Sequence, residues 1–405
     1  MRKFLSIMLT LALVLSLGMS VASAEGYSGD VKIWVADNMV ELTKAKAEEF
    51  KAAHPEYKDM NVLVEAVGEG DSASNMITDV EGGADIYGFA QDQLARLVAA
   101  GALVELSDEN AAIVKEENDS GSVAAVTLGE KLYAYPMTSD NGYFMYYDKS
   151  VITDPSTLEG VLKQAEEAGK KVYFEINSGW YQTAFFFGTG AFVTYDVDDE
   201  GNLVKCNINY ASPEGLDAIK GMIALAKSPA FVNGSSASNA SDYAAIVDGT
   251  WDAQPVKDAL GDNYAAAKLP TFTVGEKTYQ LSGFGGFKML GVKPQVDEAK
   301  LAACDALALF LTSYDVQAAR FEQFGWGPSN LKAQQLDAVK EDIALSALAA
   351  QLNFSIGQGQ YPNDYWSTAT GLGDDIIAGK LDDMTDEQLM ERLTAFQDIL
   401  ISLVK

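Results

Sequence analysis

The first third of the chain alternates short apolar runs with longer segments whose apolar residues recur at helical spacing. The predicted strands are residues 30–36 (DVKIWVA), 61–67 and 84–89, and the predicted helices are 38–54, 72–80 and 91–100. Asn38 is the expected N-cap of the first helix, and Gly101 is the stop signal after the third. Strands that alternate with helices predict an α/β fold in which helices cover a mostly parallel sheet.

Residues 129–148 (GEKLYAYPMTSDNGYFMYYD) carry two strand patterns separated by the polar break 138–142. Pro136 limits the first pattern to an edge or a strand end, because proline has no N–H to donate to a neighbouring strand. A strand, a polar break and another strand are expected where a chain crosses between two lobes. Asp140 lies in the break and is therefore expected at the seam.

The rest of the chain continues the alternation and then becomes mainly helical. Further predicted strands are 171–176, 244–247, 265–270 and 278–281, and further predicted helices start near 154, 180, 213 (behind the cap Ser212) and 251. From residue 297 the pattern is helical, with interruptions at 325–328 and 358–365. The 405 residues are enough for two domains.

The N-terminus has the three parts of a secretory signal. Arg2 and Lys3 precede the uncharged stretch 4–19, and Val21-Ala22-Ser23-Ala24 offers a small-residue cleavage site, so cleavage after Ala24 is predicted. A retained membrane anchor is the alternative, although the apolar run is short for a span. No cysteine lies near the cleavage site, so we expect no lipid attachment there and an exported, soluble mature protein.

Charge and composition exclude several function classes. The net charge of −29 repels nucleic acid and anionic membranes. His54 is the only histidine and is expected at the surface, which argues against histidine-dependent nucleophilic catalysis and histidine-bearing metal sites. The sequence has no phosphate-binding loop, and the acidic segment 196–203 lacks the glutamate that a calcium loop requires, so we expect neither cofactor nor metal. Hydrolysis by a carboxylate pair stays possible.

Aromatic residues recur at loops and helix starts, next to polar groups. They are Phe89 (three residues before Asp92), Trp180-Tyr181, Trp251, Trp326, Tyr361 and Tyr365-Trp366. Flat rings suit the apolar C–H faces of a sugar, and carboxylates suit its hydroxyl groups. The alternative for each ring is packing in the core. The pattern favours a carbohydrate-binding groove.

Several segments in order resemble the family 1 extracellular solute-binding proteins of ABC importers, and in particular the maltodextrin binders among them. The resemblance covers nearly the whole mature chain. It is carried by VKIWVADN, ADIYGFAQDQLARLVAAGALVEL, GEKLYAYPMTSDNGYFMYYDKSVI, IVDGTWDA, the run 269–272 and NDYWSTA. It implies a two-lobe periplasmic-binding-protein-like fold of type II, with a hinge of several crossing segments that closes over the ligand.

The resemblance also implies roles for individual residues. Asp37 and Asn38 match a polar loop that binds sugar hydroxyls. Phe89 stands where the maltodextrin binders have a stacking tryptophan, and Asp92 matches an acid, whereas the next family position, an arginine, is Gln93 here. Asp140 stands in place of a hinge glutamate. The aromatic matches in the second lobe are Trp180, Tyr181, Trp251 and Trp366, and we add the adjacent Tyr365 as a candidate.

The implied organisation places residues 25–138 and 287–328 in lobe 1, and residues 139–281 and 329–405 in lobe 2, with hinge segments near 138–142, 282–286 and 325–329. Because Cys206 and Cys304 then lie in different lobes, no disulfide is expected. The expected function is a non-enzymatic, monomeric receptor that delivers an oligosaccharide, maltose or maltodextrin first, to the permease subunits of an ABC importer. The alternatives are a receptor for a non-glucan oligosaccharide or a polyamine, and a secreted glycosidase.

Overall fold

The computed structural model describes residues 26–234 and 242–404. The predicted signal segment 1–24 and most of the polar loop before residue 242 lie outside the described residues. Among the described residues, no helix is both long and apolar enough to span a bilayer.

The strands are short and are distributed along the chain. They are β1 Asp30–Val35, β2 Asn61–Ala66, β3 Ile86–Ala90, β4 Thr127–Leu128, β5 Lys131–Leu132, β6 Tyr135–Thr138, β7 Phe144–Asp148, β8 Lys171–Tyr173, β9 Val193–Val197, β10 Leu203–Ile208, β11 Phe231–Val232, β12 Tyr243–Asp248, β13 Tyr264–Ala267, β14 Thr271–Val274, β15 Lys277–Gln280, β16 Phe284–Gly285, β17 Lys288–Val292 and β18 Ile356–Gly357.

The α-helices follow most strands of the first half and dominate the last quarter. They are α1 Val40–Ala53, α2 Glu69–Thr78, α3 Leu94–Ala99, α4 Asp108–Glu117, α5 Ser120–Ala125, α6 Leu158–Glu167, α7 Thr183–Thr189, α8 Pro213–Ala226, α9 Ala253–Leu260, α10 Glu298–Leu311, α11 Tyr314–Phe324, α12 Asp337–Lys340, α13 Ile343–Leu352, α14 Asn363–Ile377 and α15 Asp386–Ser402. Three 3-10 turns also matter below: Asp37–Met39, Gln91–Gln93 and Thr250–Asp252.

The first sheet has the strand order β2-β1-β3-β17-β6. β1 is parallel to β2 and β3, whereas β17 is antiparallel to β3 and β6, so one strand runs against the other four. Lys288, the first residue of β17, pairs with Ala90 at the end of β3 and with Thr138 at the end of β6. The start of β17 therefore lies at the carboxyl edge of the parallel strands.

The second sheet repeats this arrangement with the order β11-β8-β12-β7-β13. β8 is parallel to β11 and β12, and β7 is antiparallel to β12 and β13. Phe144, the first residue of β7, pairs with Asp248 at the end of β12. In each sheet the antiparallel strand, β17 or β7, therefore starts at the edge where the chain arrives from the other sheet.

Separate apolar clusters stabilise the two sheets. One cluster contains buried residues between Val31 and Met137 and between Met289 and Trp326. A second contains residues between Tyr143 and Phe284 and between Tyr361 and Leu400, and a smaller third cluster adds helix α13 to the second sheet. Burial of apolar side chains on both faces of the sheets explains why β3 (IYGFA) and β17 (KMLGV) are almost continuously buried.

The segments that join the two sheets are hydrogen-bonded to one another. Ser139 N donates to Gly327 O at 3.0 Å, and Asn141 N donates to Gly286 O at 3.1 Å. Between them, Asp140 is buried and its Oδ2 accepts from Gly327 N at 2.6 Å and from Thr250 Oγ1 at 2.5 Å. Asp140 thus joins two crossing segments to the turn after β12.

The structure confirms some local predictions and corrects others. Ser212 caps α8, because its Oγ accepts from Gly215 N at 3.2 Å. Asn38 is not a cap: it lies inside a 3-10 turn, and α1 starts after Met39 without a side-chain cap. The helix predicted from residue 180 starts at Thr183, and the prediction missed β14, which pairs with β15 as a hairpin. Cys206 and Cys304 are free, as expected.

We predict that Asp140→Ala lowers the free energy of unfolding by about 1–3 kcal/mol, because it leaves the buried Gly327 N–H and Thr250 hydroxyl without an acceptor. The variant also removes a negative charge near Arg320, whose pKa is lowered to about 10 by burial against the opposing effect of Asp140. Urea denaturation monitored by circular dichroism measures the change. Asp383→Ala, at an exposed carboxylate, is the control, and equal stability of the two variants would show that Asp140 does not stabilise the crossing.

Candidate functional site

A cleft of about 970 Å³ lies between the carboxyl edges of the two sheets. The first sheet contributes residues that follow β1, β2 and β3 and the start of β17, among them Asn38, Glu69, Asp92, Gln93 and Lys288. The second contributes residues after β8 and β12 and the start of α14, among them Glu175, Tyr181, Asp252 and Asn363. Ligands of open α/β sheets bind at this kind of edge, because polar loop residues converge there.

Three half-buried tryptophans face the cleft: Trp180, Trp251 and Trp366. The rings of Trp180 and Trp251 are 5.8 Å apart between centroids and inclined by 46°. Trp366 packs against Tyr361 with a centroid distance of 5.5 Å and a tilt of 36°, and against Tyr365 at 4.8 Å in an edge-to-face arrangement. The three rings, which are distant in sequence, therefore lie on one cavity.

Trp180 is held in place from three sides. Tyr143, from the crossing segment, meets its ring edge-on at 4.6 Å. Its Nε1 donates to Gln358 Oε1 at 3.2 Å, and Asn141 Nδ2 donates to the same oxygen at 3.3 Å. The preceding Gly179 has no room for a side chain, since a Cβ atom there would lie 2.7 Å from Ala369 Cβ. The orientation of Trp180 thus depends on the crossing and on the segment before α14.

Carboxyl groups line the cleft: Glu69, Asp71, Asp92, Glu175 and Asp252. Burial raises the pKa of Asp92 to about 7, although the nearby Arg96 lowers it. Burial, together with the charge of Asp252, also raises the pKa of Asp248, whose Oδ1 accepts from Tyr181 OH at 3.0 Å. Burial therefore favours the protonated form of Asp92, which lines the cleft, and of Asp248, which lies behind Tyr181.

Some buried polar atoms at the cleft have no hydrogen-bond partner among the described residues. They are Glu69 Oε1, Gln93 Oε1 and Trp326 Nε1. Buried polar groups are normally satisfied, and each unsatisfied one costs stability. These unsatisfied atoms belong to residues that line the cleft, and such departures are found mainly at functional sites.

Six of the predicted site residues line the cleft: Asn38, Asp92, Trp180, Tyr181, Trp251 and Trp366. Phe89 and Tyr365 are fully buried in the cores, so neither ring has a free face for a ligand. Asp140 is buried at the crossing with Gly327 and Thr250. Asp37 is exposed and lies next to Asn38, outside the lining.

Other lining residues were not predicted: Glu69, Glu175, Asp252, Lys288 and Gln358. Two of them had a readable signal. Glu69 follows a predicted strand, and Lys288 is a single charge in the apolar run GFKMLGV. Gln358 becomes part of the site only through long-range contacts with Trp180 and Asn141, which local patterns do not show. Trp326 also lines the cleft, and the sequence pattern named this ring without assigning it a role.

The two sides of the cleft touch at its rim. Ser74 Oγ, on α2, donates to Asn363 Oδ1 at 3.1 Å, at the start of α14. Next to the cleft lining, Gln360 Nε2 donates to Gln91 O at 2.8 Å, and Ala95 N donates to Gln360 Oε1 at 2.9 Å. The segment before α14 therefore bridges to the turn that follows β3. Among the described residues, no group of acidic, histidine or cysteine side chains is arranged to hold a metal ion.

Residues 45–347 match the family of bacterial extracellular solute-binding proteins. The maltooligosaccharide ABC transporter solute-binding lipoprotein of Streptococcus pneumoniae serotype 4 (strain TIGR4) is 26% identical over 329 residues, which are 74% of this chain and 73% of that relative. The corresponding lipoprotein of strain R6 is 25% identical over 327 residues, with the same coverage of both chains.

Solved structures of high similarity cover almost the whole chain. A structure described as a complex with acarbose has a TM-score of 0.82 and 28% identity, and it covers 93% of this chain and 99% of its own. The ligand-free maltodextrin binding protein MalE1 from L. casei BL23 has a TM-score of 0.74 and 23% identity, with 94% and 99% covered. These structures confirm the predicted α/β two-lobe fold. By its family, the chain belongs to the bacterial extracellular solute-binding proteins, which are exported receptors and not enzymes.

Proposed function

We propose that this receptor captures a maltooligosaccharide and delivers it to the permease of an ABC importer. The observation that carries the proposal is the convergence of Trp180, Trp251 and Trp366 on one cleft that also contains buried carboxyl groups. The pneumococcal relatives are maltooligosaccharide ABC transporter proteins by name, which supports the same ligand class.

The chemistry of the cleft suits an oligosaccharide. Stacking buries roughly 150 Å² of apolar surface per ring, which at about 25 cal/mol/Å² contributes on the order of 4 kcal/mol before ordering costs. Two or three rings with hydrogen bonds to acids are sufficient for a micromolar dissociation constant, about −8 kcal/mol. We assign stacking to Trp180, Trp251 and Trp366, with Tyr181 beside them, and hydroxyl binding to Asn38 and Asp92.

The proposed mechanism is closure of two lobes over the sugar. We assign residues 25–138 and 287–328 to one lobe, and 139–281 and 329–405 to the other, with the hinge at 138–142, 282–286 and 325–329. The separate apolar cores and the hydrogen bonds between the crossing segments support this division. A ligand that contacts both lobes only in the closed state shifts the open–closed equilibrium by its differential affinity.

We further propose that signal peptidase cuts after Ala24. The small residues at 22 and 24 and the preceding apolar stretch support this position. The mass of the mature protein, secreted by a bacterial host that expresses the full gene, should correspond to a chain that starts at Glu25. A different N-terminal residue, or a mass increased by a lipid, would contradict the assignment.

The ligand class is tested by a thermal-shift screen followed by calorimetry. Maltose-series sugars should raise the melting temperature, and maltotriose recovered after incubation should be intact. The screen includes non-glucan oligosaccharides and polyamines, because the cleft acids could also pair with amines. A response to one of those ligands alone would reject the maltooligosaccharide proposal.

We predict that Trp251→Ala weakens maltotriose binding by roughly tenfold or more, the loss of about 1.4 kcal/mol, with little change in fold. The reason is the loss of a half-buried ring that faces the cleft. Titration calorimetry gives the affinity and circular dichroism checks the fold. Trp34→Ala is the matched control, because Trp34 lies outside the lining and bonds to Glu65. Unchanged affinity in Trp251→Ala would remove this ring from the site.

We predict that Asp92→Asn becomes progressively more stable than the wild type as the pH rises from 4 to 8. The folded-state pKa of Asp92, about 7, lies above its ordinary value, so folding favours the protonated carboxyl. The stability that Asp92 contributes is thus complete below about pH 4 and is lost as the pH rises through 7, with a slope of at most about 1.4 kcal/mol per pH unit.

Urea denaturation at several pH values measures this difference between Asp92→Asn and the wild type. Asp383→Asn, at an exposed carboxylate, controls for the change in net charge. A constant difference in unfolding free energy across this pH range would mean that burial does not perturb Asp92.

A further inference from the structure

Lys288 is a buried cation that lines the cleft. It is 7% exposed and starts β17, between Ala90 and Thr138 at the carboxyl edge of the first sheet. The next residue, Met289, belongs to the core. Lys288 lies at the open end of the strand, where the register with β6 shifts between Lys288 and Met289, and it lines the cleft.

Two indole rings hold the Lys288 ammonium group. Its Nζ lies over Trp326 at 3.9 Å and over Trp251 at 4.8 Å from the ring centroids. Both distances are within the range of favourable cation–π contacts, which are stronger when the cation is desolvated. Trp326 itself is buried and belongs to the first core. We call Lys288 with the rings of Trp251 and Trp326 the Lys288 cage. The cage holds Nζ next to Trp251, the ring that we assign to ligand stacking.

The ammonium group retains donor capacity. A lysine side chain has three N–H donors, and among the described residues Lys288 Nζ has two ring contacts but neither an ion pair nor a hydrogen bond. Lys288 is also the only basic side chain among the described residues that line the cleft, which otherwise contains five carboxyl groups. The Lys288 ammonium group is therefore available to donate a charge-assisted hydrogen bond to a ligand oxygen.

We propose that Lys288 is a specificity-determining binding residue that donates a charge-assisted hydrogen bond to an oxygen of the sugar unit stacked on Trp251. The inference rests on the proposed function and narrows the ligand class to neutral oligosaccharides. A hydroxyl or ring oxygen at Nζ is stabilised by the positive charge, whereas an ammonium group of a polyamine at the same place is repelled by the like charge of a lysine that is only 7% exposed. The cage thus selects against amines although the cleft is acidic.

Lys288→Met and Lys288→Arg test the proposal. Methionine removes the charge but fills similar apolar space between the rings, and arginine keeps a cation. We expect Lys288→Met to weaken maltotriose binding tenfold or more, to increase spermidine binding at least several-fold, and to change the tryptophan emission of the ligand-free protein. Lys288→Arg should retain maltotriose affinity within a few-fold and still reject spermidine.

The matched control is Lys332→Met, because Lys332 Nζ lies 4.0 Å from the Tyr314 ring, outside the cleft lining. Calorimetry measures both ligands, and urea denaturation establishes that each variant is folded at the assay temperature. Equal maltotriose affinity of wild type and Lys288→Met would overturn the role of Lys288 and leave the proposed function intact. Failure of the wild type to bind any neutral oligosaccharide would overturn both.

Discussion

The site depends on one constraint: the chain passes between the two sheets at their carboxyl edges. In each sheet the strand that enters from the crossing, β17 or β7, runs against its neighbours and starts at that edge. The loops after the parallel strands point to the same edge, so polar and aromatic residues from both sheets face a common cavity. Asp140, buried between Gly327 and Thr250, ties this crossing to the turn that carries Trp251.

The cleft is built from groups that are unfavourable without a ligand. Glu69 Oε1, Gln93 Oε1 and Trp326 Nε1 are buried without a hydrogen-bond partner among the described residues, and burial raises the pKa of Asp92 to about 7. Each of these costs free energy that the apolar cores of the two sheets must offset. Proteins depart from complete polar satisfaction mainly at functional sites, and all of these residues line the cleft.

The sequence predicted most strands of the two sheets, although neither β11 nor β17. Through the order of its segments it also predicted three rings that share one cleft. The local sequence pattern could not distinguish an aromatic residue that packs in a core from one that faces a binding site. Phe89 lies three residues before Asp92, yet its ring is in the core because apolar side chains cover both faces of β3. Tyr365 and Trp366 are adjacent on a helix, and only Trp366 reaches the cleft. The role of Gln358, which accepts from Trp180 and Asn141, depends on contacts between residues far apart in sequence.

The Lys288 cage also spans the two sheets. Lys288 and Trp326 belong to the first sheet and its core, whereas Trp251 follows β12 of the second sheet. The distance of 4.8 Å between Nζ and the Trp251 ring therefore depends on how closely the sheets approach each other. Because a cation–π contact weakens as that distance grows, opening of the cleft would leave the ammonium group with Trp326 alone. Lys288 would then both stabilise the closed state and discriminate between ligands, so ligand affinity and cleft closure would be linked through this one side chain.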